Sequence, residues 1–168
     1  MATVDFRVYK DGYLQTGIAQ ADLPPIAFMT AEIKGGGVLG AIDMPIIGAV
    51  QSMPMTLNFQ SITPDYKKMC GFEVQEIELR ASVQVNEPST GRIKTDSHKY
   101  FATVIPKNHT LGQLIAAEKS DRTMEFEALT LKYMINDDVI FEIDKRNYVL
   151  IINGVDYLAQ VRKDLGLS

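Results

Sequence analysis

Few residues in this chain are of types that do chemistry, and their spacing decides little in favour of catalysis. Gly35, Gly37 and Gly40 form a G-x-G-x-x-G directly after a strand-like run. In a dinucleotide site that spacing serves a pyrophosphate, which needs the N-terminus of a following helix. Here the next letters are "AIDMPII", and Pro45 falls inside the first turns such a helix would need. The only histidines, His98 and His109, have no Cys, Asp or Glu at a recognisable metal-ligand spacing. His98 sits in an alternating strand pattern, so a surface or subunit-contact histidine is expected there. Cys70 stands alone with Lys67 and Lys68 as its only nearby cations, which fits a packing residue better than a nucleophile. The acidic set Asp137, Asp138, Glu142 and Asp144 has the composition of a calcium loop without its spacing or its glycine. No serine nucleophile elbow occurs. The expectation is a non-enzyme with no catalytic, cofactor or metal residue.

Composition narrows the class further. The chain has 168 residues, 46% hydrophobic and 23% charged, with a formal net charge of −4. One domain, 1–168, with a substantial core is expected. An acidic balance argues against a nucleic-acid clamp built on clustered Lys and Arg. The start, "MATVDFRVYKDG", has neither a basic nor an apolar leader region, and no run of about 18 apolar residues exists. A lone cysteine suits a reducing compartment, and the sequon at Asn108 reads as chance.

The elements that must position any surface are strands. Val4, Phe6 and Val8 alternate with Thr3, Asp5 and Arg7, and Asp11-Gly12 is a hairpin signal. Met53, Met55, Leu57 and Phe59 form one apolar face. Ile77, Leu79, Ala81, Val83 and Val85 form another, with Glu76, Glu78, Arg80, Ser82 and Gln84 opposite. "TMEFEALTLKYMI" changes phase between Phe126 and Leu129, which predicts a bulge near Ala128 or a change of buried face. "TPDYKKMCG" predicts a short helix capped by Thr63 and started by Pro64. The stripe Val155, Leu158, Val161 and Leu165 predicts a helix over 154–166. Thr110 and Gln113 stand at capping-box spacing, leaving 110–119 as helix or loop.

One segment fits none of these classes. From Gly35 to Val50 the only charge is Asp43, and glycines interrupt a run of Val, Leu, Ile and Met. It is too irregular for a helix and too apolar for a solvated loop. "ADLPPIAFMTAEIKGGGVLGAIDM", "LKYMINDDVIFEID" and "INGVDYLAQVRKDLGL" resemble the start, late strands and closing helix of the major tail tube protein of contractile-tailed phages and R-type pyocins. "GRIKTDSHKYFATVIPKN" falls where that family has its long strand and return. The segment "KNHTLGQLIAAEKSDR" departs from it, being more apolar than the family's charged connection.

The resemblance implies a mainly β fold, an antiparallel β-sandwich or half-barrel with short flanking helices. It implies a hexameric ring whose inner strands form one continuous β-barrel, and rings stacked inside a contractile sheath. Segment 34–52 would then be an extended glycine-rich inter-subunit loop. Gly35, Gly36, Gly37, Val38, Leu39, Ile42, Met44, Ile46 and Ile47 would touch neighbouring subunits, those of the next ring. A DNA-passing lumen should carry carboxylates rather than cationic clusters. Glu76, Glu78, Arg80, Glu125 and Glu127 are the lumen candidates, although alternation alone does not separate lumen from outer solvent. The implied partners are the chain itself, a sheath protein, a baseplate tube initiator and a tail terminator. A tape-measure protein would occupy the lumen during assembly, and DNA would pass non-specifically in a phage. The implied location is the virion tail, assembled in a host bacterial cytoplasm, without a membrane anchor. A genome-free bacteriocin or type VI secretion-like tube would look the same. Alternation alone also allows a small-ligand β-barrel, which leaves the 35–50 segment unexplained.

Overall fold

The computed structural model describes residues 1–167. Twelve strands and two short helices follow one another as β1 (Ala2–Lys10), β2 (Tyr13–Gln15), β3 (Ile18–Asp22), β4 (Phe28–Lys34), β5 (Ala41–Val50), β6 (Pro54–Phe59), α1 (Pro64–Met69), β7 (Gln75–Asn86), β8 (Ile93–Thr110), β9 (Arg122–Ile135), β10 (Asp138–Asp144), β11 (Val149–Ile152), β12 (Val155–Asp156) and α2 (Ala159–Asp164). All pairings are antiparallel. The main sheet runs β12-β11-β10-β9-β8-β7-β1-β2, with β6 on β9 and β3 on β6, while β4 and β5 form a separate two-stranded sheet.

Two-residue turns set the register of two hairpins, the first at the expected Asp11-Gly12. Asp11 and Gly12 both adopt positive φ between β1 and β2, as do Asn136 and Asp137 between β9 and β10. That geometry matches the strand twist. The central strands are long because the alternation is long: β7 pairs with β8 from Gln75↔Val104 to Asn86↔Ile93.

The phase change in β9 is a bulge. Thr103 pairs with Thr130 and Val104 with Ala128, so Leu129 has no opposite residue on β8. Before the bulge Met124, Phe126 and Ala128 are buried; after it Leu131 is. The same point divides the other edge of β9: residues 122–127 pair with β6 and residues 130–135 with β10. The sheet therefore branches at Leu129 and wraps a single core. Met53, Met55, Leu57, Met124, Phe126 and Val104 are all fully buried there, with Leu79 on one side and Ile143 and Leu150 on the other. Side chains fill this interior, which leaves the small-ligand barrel without its central chamber.

The first helix forms where the sequence put it, and the C-terminal one is shorter than expected. In α1 the Thr63 hydroxyl makes no cap bond and donates instead to the Thr16 carbonyl at 3.3 Å. Asp65 accepts from the Thr16 amide at 3.0 Å and its hydroxyl at 2.8 Å, so those donors hold its carboxyl below the usual range. Phe59 meets Tyr66 edge to face at 4.9 Å, docking the helix. The predicted helix over 154–166 is α2, Ala159–Asp164, because Val155 and Asp156 pair with β11 first. Leu158 is buried and Val161 packs on the core, but Val155 and Leu165 are exposed. Residues 111–121 are loop, not helix. Gly112 explains part of this: it holds φ +75, and a Cβ there would stand 2.3 Å from the Asp121 carbonyl.

Candidate assembly surfaces

The apolar glycine-bearing segment is half of a hairpin, not the extended loop expected over 34–52. β4 pairs with β5 from Thr30↔Pro45 to Lys34↔Ala41, and Gly35–Gly40 make the connection. Gly35, Gly36, Gly37 and Gly40 all hold positive φ with open space around them. They are required by backbone conformation rather than by a close neighbour, and no helix begins after them to hold a phosphate. Alternation divides the hairpin into two faces. Met29, Ala31 and Ile33 share one face with Ile42 and Met44 across the pair; Thr30, Glu32 and Lys34 share the other with Ala41, Asp43 and Pro45. Glu32 and Asp43 stand directly opposite each other, and Lys34 reaches Glu32 at 3.4 Å.

Among the described residues, none covers the apolar face. Met29, Ile33, Ile42, Met44, Ile46 and Ile47 are exposed, and Leu39 at the turn is 103% exposed; Val38 alone among the predicted contact residues is half-buried. A two-stranded hairpin has little stability by itself. This one instead has a firm root. Between Pro45 and Val50, β5 swells so that four residues oppose Met29 alone. Gly48 lies in that swelling at φ +70, and a Cβ there would lie 2.2 Å from a Leu158 methyl carbon. An isolated glycine in a strand-like run is itself a signal of close approach. At the neck the Gln51 amide donates to the Ala27 carbonyl at 2.7 Å, and Lys145 Nζ donates to the Gln51 carbonyl at 2.6 Å.

Glu127 secures the same neck. Its carboxylate accepts from the Ser52 hydroxyl at 2.7 Å and the Met53 amide at 3.0 Å, and it pairs with Lys107 at 3.2 Å. Lys145 lies 4.0 Å away. Burial alone would raise this carboxyl, but the Ser52, Met53 and Lys107 donors outweigh it and hold it below the usual carboxylate range. Lys107 also pairs with Glu125 at 3.1 Å. These two lumen candidates are therefore committed to lysines of their own chain.

Glu76 and Glu78 are placed differently. They line an open groove of about 540 Å³ on the wet face of the main sheet, with Thr103, Thr130, Lys132, Glu142 and Asp144. Four carboxylates there face one lysine, so the groove is net acidic. Arg80 donates to Glu78 and stacks 4.7 Å from the Tyr9 ring centre, which moderates the charge at one end. The acidic members Glu142 and Asp144, weighed from sequence only as a calcium loop, belong to this surface; no cluster of metal-ligating side chains is present among the described residues.

His98 corrects its sequence reading. It is buried rather than on the surface, with its Nδ1 2.8 Å from the Tyr133 hydroxyl, and Tyr133 stacks on Tyr100 at 4.6 Å. Arg162 in α2 pairs with Asp156 and donates to the Tyr148 carbonyl at 2.8 Å, pinning the C-terminal helix over β11.

The profile described as "Phage tail tube protein FII" matches residues 3–166. The chain belongs to that family. No curated protein matches significantly. Among solved structures, this tail tube family chain is similar in fold to one titled sheath/tube terminator of an extracellular contractile injection system, PVC, in the extended state. The TM-score is 0.54 and identity 17%, over 78% of this chain and 94% of that one. It is similar to a chain of the PVC sheath-tube complex at TM-score 0.53 and 15% identity, over 77% and 87%. A chain of the anti-feeding prophage cap, a tube-terminating cap, gives 0.53 and 19%, over 77% and 87%. For a tail tube family protein the functional sites are surfaces that meet other chains. Its hairpin and its acidic groove are two surfaces that the structure leaves open among the described residues.

Proposed function

We propose that this chain is a structural, non-enzymatic subunit of the tail tube of a contractile-tailed phage or tailocin. Six copies close a ring, rings stack into a hollow tube inside a sheath, and the tube is driven through the target envelope. The observation that carries this reading is the uncovered apolar face of the β4–β5 hairpin. Burying on the order of 300 Å² per hairpin at about 25 cal/mol per Å² yields several kcal/mol before ordering costs. A head-to-tail contact of that kind builds open filaments. Ring closure also removes the sheet edges that a lone subunit leaves unpaired. The acidic groove beside Glu76 and Glu78 suits a wall along which DNA slides without binding. In this reading the subunit meets sheath on its outside, an initiator and a terminator at the tube ends, and a tape-measure protein within.

Negative-stain electron microscopy of purified protein tests it. Rings or tubes of uniform width are expected; particles that stay monomeric at high concentration sink the reading. A genome-free injection particle is the second reading, favoured by the extracellular contractile injection system and anti-feeding prophage chains that share the fold. Gene neighbours distinguish the two: a sheath with a capsid supports the phage, a sheath without one the genome-free particle.

A further inference from the structure

The 111–121 loop is a second uncovered apolar surface, and the tube reading does not use it. Leu111, Leu114 and Ile115 are 64%, 89% and 50% exposed. The loop is shaped rather than slack: Gly112 abuts the Asp121 carbonyl, Ala117 holds φ +65, and the Glu118 amide donates to the Ile115 carbonyl at 3.2 Å. Three large apolar side chains are thus displayed on a turn with no cover of their own.

Its position relative to the hairpin is the informative point. Strand β6 begins at Pro54 opposite Glu127, beside the hairpin neck, and ends at Phe59 opposite Arg122, beside this loop. The two uncovered apolar surfaces therefore leave opposite ends of one strand, roughly 17 Å apart at 3.3 Å per residue. A hairpin-to-hairpin contact between two copies would close a dimer and leave the loop bare. A head-to-tail arrangement, loop of one copy on hairpin of the next, engages both surfaces and repeats without end. The exposed apolar trio supplies the attraction, and the positive-φ Gly112 and Ala117 fix how the turn presents it.

We propose that the loop around Leu111, Leu114 and Ile115 of one copy docks on the Ile33–Ile42–Met44 face of the hairpin of the next copy. This rests on the tube reading and names the partner surface that reading leaves open. The test is cross-linking in tubes assembled from Ile42→Cys/Leu114→Cys in a Cys70→Ser background. Mild oxidation is expected to give a disulfide ladder that neither single variant gives; tubes that form without the ladder overturn the pairing. Leu114→Asp is expected to keep the wild-type circular dichroism while tube yield falls about tenfold or more. Leu114→Asp tubes at wild-type yield overturn it, including the outcome in which they form but fail to recruit sheath, since the loop then serves another partner. Wild-type protein that never forms tubes defeats the tube reading and this pairing together, whereas intact wild-type and Leu114→Asp tubes defeat the pairing alone.

Discussion

The two sheets of this molecule are built on opposite principles. In the main sheet each apolar face is closed by the same chain: Met53, Met55, Leu57 and Phe126 have essentially no exposed surface. In the β4–β5 sheet the same alternation is present, with Ile33, Ala31, Ile42 and Met44 on one face, and nothing closes it. Identical periodicity thus carries a core in one place and an open contact surface in the other. What differs is the neighbour. The difference teaches that an amphipathic strand pair states what it will bury but not against whom.

That contrast can be broken or sharpened by substitution, ranked by expected effect on the isolated subunit. Phe126→Ala in the main sheet should cost about 3–5 kcal/mol, read as a lowered urea midpoint, because its ring is fully buried. At the joint between the regions, Gly48→Val should cost about 1–3 kcal/mol, because the new side chain must occupy Leu158 space at a positive φ. Thermal unfolding unchanged by it would mean the root is not held there. Glu127→Gln should cost about 1–2 kcal/mol through its weakened charge-assisted bonds to Ser52, Met53 and Lys107. The sign with pH follows from the lowered carboxyl: its contribution is fully present above the ordinary value of 4.5 and is lost as acid protonates it below that. Glu127→Gln should therefore flatten the acid limb of the stability curve and leave neutral-to-alkaline slopes alone. At the far end of the scale, Ile46→Asp should change subunit stability by less than about 0.5 kcal/mol while stopping stacking. Wild-type tubes from that variant would remove the distinction between the two sheets.

Much of the main sheet was legible because burial there follows from neighbours in sequence. Ile77, Leu79 and Val83 alternate, and they are buried; the phase change near Ala128 announced the bulge at Leu129. The hairpin was legible as an uncovered apolar segment but not as a strand pair, since glycines and Pro45 obscure the period of β5. The neck network was invisible for a different reason. Lys145 reaches Gln51 across 94 residues, and no local pattern marks a lysine that will grip a distant carbonyl. His98 shares the phase of the buried Ala102 and Val104, but its polar ring argued for the surface; the nearby Tyr133 hydroxyl explains how that ring is accommodated inside. Gly48 was a signal available and unread.

The branch at Leu129 has a consequence for how this chain can change over time. Side-chain orientation along β9 works like a parity count, and one residue without an opposite number is the correction that keeps both halves in step. Losing Leu129 would make Ala128 and Thr130 consecutive opposite Val104 and Thr103, so Leu131 would keep its buried side but the kink at the branch would disappear, whereas adding one more residue there would turn Leu131 outward. Leu129 therefore serves the bend at which β9 changes partner from β6 to β10, and an insertion beside it is the change in length that the buried face cannot absorb.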